Sequence, residues 1–220
     1  MDHDAADAAS NDDIRASFGV SEANLRRAQP ADAAALALLG GATFLESYAR
    51  DHPGDALIRH VQAQHSPAFY AQMLADPACA TWVLETDLGA PVGYALLTKP
   101  DLGCETGADD LELKRLYLLR GWQAGGWGRR LLAAVEAEAA TRGAGRLLLC
   151  VSADNATAQR FYWRHGYDDV GRQHMFGMGG RAYHGLIWAK RLGGDPETPP
   201  AILTRSVAPE PAGQWPRRWA

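Results

Sequence analysis

Cysteine is scarce in this chain, with three residues, Cys79, Cys104 and Cys150, among 220. They are odd in number, far apart and without a C-x-x-C pair, so neither a disulfide framework nor a cysteine-bound zinc is expected. The seven histidines are also scattered: His60 and His65 stand five apart and no H-E-x-x-H pattern occurs, which argues against any metal. No apolar run reaches the roughly 18–20 residues that span a bilayer. No block of five or more basic residues occurs, and a formal net charge of −4 gives no field that would draw the chain to nucleic acid. The opening MDHDAADAASNDD is acidic, the opposite of the basic and then apolar start of a signal peptide. No repeat of solenoid length is found. The expectation is a soluble, cytoplasmic protein with no nucleic acid, membrane or metal partner.

Apolar residues make up 47% of the chain and charged residues 22%, enough to bury one substantial core. Residues 1–21 are acidic and poor in large apolar side chains, and residues 193–220 are broken repeatedly by proline, so both read as tails around a domain at 22–192. Within it NLRRAQ reads as a strand. Asp32 stands where an N-cap belongs before a helix through AAALALLGGATFLESYA, with a break expected at Gly40-Gly41. Ser66 and Pro67 open a second helix, HSPAFYAQMLAD. ATWVLET and PVGYALLT read as a hairpin around DLGAP, and LELKRLYLL as a central strand. A long helix from about Gly126 to Thr141 is stopped by Gly143. RLLLCVS has the continuous apolar character of a strand buried on both faces, NATAQRFYWRHG that of a helix ending at Gly166, and the last stretch reads as two strands around GMGG. The order β-α-α-β-β-β-α-β-α-β-β is that of an α/β or α+β sheet layered with helices.

The stretch GWQAGGWGRR lies between the central strand and the long helix, with glycines at 125, 126 and 128. A helix N-terminus presents amide N–H groups without intrahelical partners and a partial positive charge, and glycines let an anion approach them. Arg129 and Arg130 are unfavourable for the helix dipole, and a bound polyphosphate would account for them. Taken alone, the stretch reads equally as a phosphate cradle or as a loose turn. It is neither the G-x-G-x-x-G of dinucleotide sites nor a loop closed by G-K-[ST].

It does carry Q-x-x-G-x-G at Gln123, Gly126 and Gly128, which resembles the [RQ]-x-x-G-x-[GA] coenzyme A signature of the GNAT superfamily of N-acetyltransferases. Downstream, DNATAQRFYWRHGY resembles that family's N-x-x-A-x-x-F-Y-x-x-x-G-[FY] segment at Asn155, Ala158, Phe161, Tyr162, Gly166 and Tyr167. The resemblance runs from about Asn24 to Leu192 and is weakest before residue 80. It implies a central mixed, mostly antiparallel sheet splayed between its fourth and fifth strands, with helices on both faces, and acetyl-CoA as co-substrate. The amides of Gln123, Ala124, Gly125, Gly126, Trp127, Gly128 and Arg129 would then hold the pyrophosphate. Leu116 and Leu118 would pair their backbone with the pantetheine arm, and an amide there would stabilise the thioester oxygen. Asn155 would cap its helix and bond the arm, and Tyr162 would protonate the departing thiolate as general acid.

An attacking alkylamine also needs a proton acceptor, for which Glu112 and Glu46 are the candidates. Two departures stand out. Gln123 replaces the commoner arginine, and Trp127 occupies a place usually held by an aliphatic residue. The C-terminal GYDDVGRQHMFGMGGRAYHGLIWAKRL and the early ATFLESYA resemble spermidine/spermine-type members of the family, and Glu46, Asp51 and Asp55 could receive a cationic amine. His184-Gly185 stands where those relatives would carry a more acidic pair. The expectation is direct acetyl transfer to a small-molecule primary amine. The alternatives are a peptide N-terminus or lysine as acceptor, or a non-catalytic coenzyme A sensor. The terminal strands could pair across a homodimer.

Overall fold

The computed structural model describes residues 23–50, 52–175 and 183–193; the expected tails apart from Gly193, together with Asp51 and the GMGG turn, lie outside them. The strands are β1 Ala23–Arg27, β2 Ala80–Thr86, β3 Pro91–Thr98, β4 Leu111–Leu118, β5 Arg146–Ser152, β6 Asp168–Met175 and β7 Tyr183–Arg191. They form one sheet in the order β1-β2-β3-β4-β5-β7-β6. Every neighbouring pair is antiparallel except β4 with β5. The helices among the described residues are α1 Ala33–Tyr48, α2 Gly54–Gln64, α3 Pro67–Ala75, α4 Trp127–Thr141 and α5 Ala156–Arg164.

Side chains alternate across a strand, so one sheet can serve two cores. Trp82, Leu84, Ala95 and Leu97 join Leu131, Leu132 and Val135 of α4 on one face. Val83 and Tyr94 join Leu36 and Leu39 of α1 and Tyr70 of α3 on the other. Helices therefore cover both faces. In β4 the alternation slips. Leu96 faces Arg115 but Leu97 faces Leu113, so Lys114 is an extra residue, a bulge. Leu111, Leu113 and Leu118 consequently belong to the α4 core, whereas Arg115 donates to the Tyr70 hydroxyl and Tyr117 packs on the α1 and α3 side.

Three sequence expectations change. Helix α1 is continuous through Gly40-Gly41. A Cβ on Gly40 would collide with the His65 ring and the Tyr70 hydroxyl, so the glycine serves close packing rather than a break. Three helices rather than two precede β2, the added one being α2 at Gly54–Gln64, anchored by buried Ala56, Leu57 and Gln64. Asp32 makes no side-chain cap. Its carboxylate takes two bonds of 2.8 Å from Arg26, which also grips Glu85 and so fastens β1 to β2. Ser66 does cap α3, accepting from the Phe69 N–H at 3.1 Å.

Candidate active site

β4 and β5 are paired only at Leu111↔Leu147 and Glu112↔Leu148. Beyond them β4 keeps β3 on one side, with Leu116 opposite Ala95 and Leu118 opposite Gly93, while β5 runs on with β7. The sheet is splayed between its fourth and fifth strands, and the edge of β4 facing the wedge carries backbone groups that need a partner.

The loop at the end of that edge has a defined shape. A 3-10 turn at Arg120–Trp122 leads through Gln123 and Ala124 to Gly125 and Gly126, whose φ angles are 84° and 82°. L-residues pay about 1–2 kcal/mol in that left-handed region, which accounts for glycine at both. The first amide to return into the helix is Arg130 N–H, at 3.1 Å from Gly126 O. The amides of Trp127, Gly128 and Arg129 therefore have no intrahelical acceptor and stand at the positive end of the peptide dipoles. A Cβ on Gly126 would meet nothing within 4 Å, so this approach is open. A Cβ on Gly128 would lie 3.6 Å from both Leu118 and the Phe161 ring, which shows that the two sequence motifs touch. Gln123 Nε2 donates to Leu118 O at 3.2 Å and ties the loop to the strand. The tryptophans form the loop's floor: their rings lie 6.4 Å apart, both pack on the α4-side core, and the Arg130 guanidinium covers Trp127 at 4.5 Å. Arg129 is exposed.

The second motif supplies the other wall. Asn155 Oδ1 accepts from Ala158 N–H at 3.0 Å and caps α5. About two turns after the cap the buried Tyr162 packs between Phe161 and Tyr167, at ring distances of 5.2 and 5.6 Å. Burial, and then the neighbouring Tyr117, push the Tyr162 phenol well above its usual pKa, so it holds its proton at neutral pH. Tyr167 is fully buried and donates to Glu136 of α4 at 3.0 Å, fixing the end of α5.

Glu112 sits where the wedge closes, only 3% exposed. Its Oε2 accepts from Asp101 N–H at 2.7 Å, and Lys114 Nζ lies 3.5 Å from Oε1. Burial raises the carboxyl above its ordinary pKa, while Lys114 and the Asp101 amide oppose the rise. Glu46, at the end of α1, accepts from Arg120 N–H at 3.1 Å. Asp55 is exposed and paired with Arg59 at 2.6 Å. Among the described residues no group of three His, Cys, Asp or Glu side chains is arranged to hold a metal ion, and no helix is long and apolar enough to cross a membrane.

Several neighbours of the wedge carry no sequence motif. Tyr117 of β4 lies within electrostatic reach of Tyr48 of α1, Cys150 of β5 and Tyr162 of α5. Burial pushes the Cys150 thiol up to about 12, which leaves it protonated and unreactive. Behind Tyr117, buried Arg115 donates to Tyr70 at 2.9 Å and lies 4.5 Å above Phe69; Tyr70 in turn donates to Tyr94 at 2.9 Å. Period-two alternation would have suggested Tyr117, but the bulge at Lys114 that sets its face depends on the register with β3.

The chain matches the acetyltransferase (GNAT) family over residues 42–167, a span that holds the glycine loop and the Asn155-to-Tyr167 segment. It belongs to that family of acyltransferases. An uncharacterized N-acetyltransferase of Mycobacterium tuberculosis is 33% identical over 161 residues, covering 73% of this chain and 98% of the relative. Among solved structures, the PaiA N-acetyltransferase of Thermoplasma acidophilum in complex with coenzyme A is 17% identical with a TM-score of 0.62, covering 77% of this chain and 99% of that one. YncA of Salmonella typhimurium with its cofactor acetyl-CoA is 21% identical with a TM-score of 0.57, covering 82% and 99%. Both share the fold described above.

Proposed function

We propose that this N-acetyltransferase moves an acetyl group from acetyl-CoA to the primary amine of a small molecule, directly and without a covalent enzyme intermediate. One observation carries the proposal: the unpaired edge of β4 runs into an open helix N-terminus. An extended arm bearing amides can pair with the edge, and its pyrophosphate can rest on the free amides and dipole of α4. Leu116 and Leu118 would hold the arm by their backbone, with Asn155 beside it. Gln123 to Arg129 would surround the phosphates. The solved relatives named above that carry coenzyme A or acetyl-CoA support the same choice of ligand.

Bound acetyl-CoA supplies an acyl group activated as a thioester. Tyr162, a phenol kept protonated by burial, donates its proton to the departing sulfur. Glu112, made a stronger base by burial, accepts the proton of the amine. The need is real, because an alkylamine of pKa about 10.4 is only roughly one part in a thousand neutral at pH 7. Glu46 offers a carboxylate beside the loop for a cationic part of the acceptor. Asp55 is already paired with Arg59, so the proposal stops at a small-molecule primary amine rather than a polyamine. Tyr162 and both motifs are present together, which favours an enzyme over a coenzyme A sensor.

Intact-mass spectrometry tests direct transfer. Incubation with acetyl-CoA alone should leave the enzyme mass unchanged, and added amine should give the N-acetyl product. An acetylated enzyme that forms and then discharges to the amine would refute it.

A further inference from the structure

If Glu112 takes the amine's proton, that proton must leave before the next turnover, and the carboxylate is buried at the closed end of the wedge. On the α3 side of the sheet lies a cavity of about 80 Å³ whose wall is mostly apolar, with Gln64, Asp76, Thr98, Lys99, Asp101 and Lys114 as its polar members. Three of these residues are the immediate neighbours of Glu112. Thr98 is its cross-strand partner, Asp101 donates its N–H to Oε2 at 2.7 Å, and Lys114 Nζ stands 3.5 Å from Oε1. Lys114 also reaches Asp101 Oδ2 at 3.5 Å, so both charged neighbours belong at once to the carboxylate and to the cavity.

Thr98 adds an independent observation. It is 9% exposed, and its buried hydroxyl oxygen has no hydrogen-bond partner. A buried hydroxyl beside a cavity of this size, with Asp101 and Lys114 also on its wall, is a place where water can satisfy the hydroxyl and find further polar partners.

We propose that this cavity is the proton exit of the enzyme, with Lys114 and Thr98 as positioning residues that act through Glu112. The inference rests on the Glu112 assignment made under Proposed function. The bound ammonium first gives one proton to a Glu112 carboxylate oxygen; the neutral nitrogen then attacks the thioester carbon, the C–S bond breaks as Tyr162 protonates the sulfur, and the second proton lost by nitrogen restores the Tyr162 phenol. The first proton passes from Glu112 to a water held by Thr98, and on to bulk water. Nothing is oxidised or reduced, and Glu112 returns to the carboxylate. Lys114 holds that carboxylate ionised. The other titratable groups within electrostatic reach of Glu112 are Asp101 of the β3–β4 connection, Cys104 of the same connection and Cys150 of β5; burial raises both thiols, to about 11 and about 12, so they stay neutral.

The test is the pH profile of kcat at saturating amine and acetyl-CoA for the full chain and the variants Lys114→Met, Thr98→Val and Thr98→Ser. Losing a cation beside Glu112 should displace the acid limb of Lys114→Met to higher pH by about one unit, with the plateau preserved. Thr98→Val should lower kcat about tenfold, and a small buffer such as imidazole, carrying the proton instead, should restore it. Thr98→Ser keeps the hydroxyl and should match the wild type. An unmoved acid limb, a Thr98→Val rate equal to wild type, or a lost rate that buffer does not restore each overturns the proton exit while amine turnover by the wild type stands. Wild-type protein that releases no thiol with any amine overturns the proposed function itself, and Glu112→Gln at full rate overturns the Glu112 assignment.

Discussion

Replacing Gly126 with alanine separates a phosphate cradle from a turn. Gly126 has φ of 82°, and its added Cβ would meet no protein atom within 4 Å. The stability cost is therefore backbone strain alone, about 1–2 kcal/mol for an L-residue in the left-handed region. For a chain of this size that lowers Tm by roughly 2–8 °C. The effect on cofactor affinity is separate. If strain turns away one amide that donates to a phosphate, the lost charge-assisted bond is worth about 1.5–3 kcal/mol, or roughly 10- to 150-fold in Kd. Gly128→Ala is the control. Gly128 lies inside α4, its Cβ would make ordinary contact at 3.6 Å, and alanine is the better helix former by up to about 1 kcal/mol. That variant should melt no lower than wild type and keep its affinity. Calorimetry with acetyl-CoA and thermal melts on the same samples give both numbers. Gly126→Ala with the expected loss of Tm but unchanged affinity would refute the cradle.

Tyr162→Phe should cut kcat by about 10²-fold and leave the acetyl-CoA Kd unchanged in calorimetry, since only a proton donor is removed; equal rates would remove the acid role. Lowering the pH should destabilise the fold earlier than carboxylate titration would. Burial first, then nearby Arg115, hold His60 at about 4 and His65 at about 2, against 6.5 when unperturbed. Below 6.5 the unfolded chain binds protons that the folded chain refuses, so stability falls as pH falls. Between pH 7.5 and 5.5 the two histidines should cost about 3 kcal/mol, read from denaturant midpoints. A loss below about 1 kcal/mol would contradict their burial as neutral rings. Gly40→Ala should cost about 1–3 kcal/mol through overpacking against His65 and Tyr70, whereas a stability gain would show that the glycine is an ordinary helix defect.

Local signals made much of this fold legible in the sequence. Ser66-Pro67, Gly143 and Gly166 mark helix ends through chemistry confined to a few neighbours, and the structure keeps all three at those ends. The spacing of Gln123, Gly126 and Gly128, and of Asn155 and Tyr162, was legible for the same reason. What the sequence hid depends on partners distant in the chain. The bulge at Lys114 exists only in register with β3, and it decides that Arg115 and Tyr117 face α1 and α3. Gly40 reads as a helix breaker until His65 and Tyr70 are packed against it. Trp122 and Trp127 find their use only when the loop closes on the core and Arg130 covers the second ring. Glu112 reads as a solvated strand acid until the Asp101 amide and the sheet enclose it.

The central claim is that the β4–β5 wedge and the amides at the start of α4 position acetyl-CoA for attack by an amine. Its most direct test is the initial rate of thiol release from acetyl-CoA across a panel of small primary amines and peptides. The account predicts release that depends on the amine, saturates with small amines and is slower with peptides. Tight acetyl-CoA binding without release to any acceptor would contradict it.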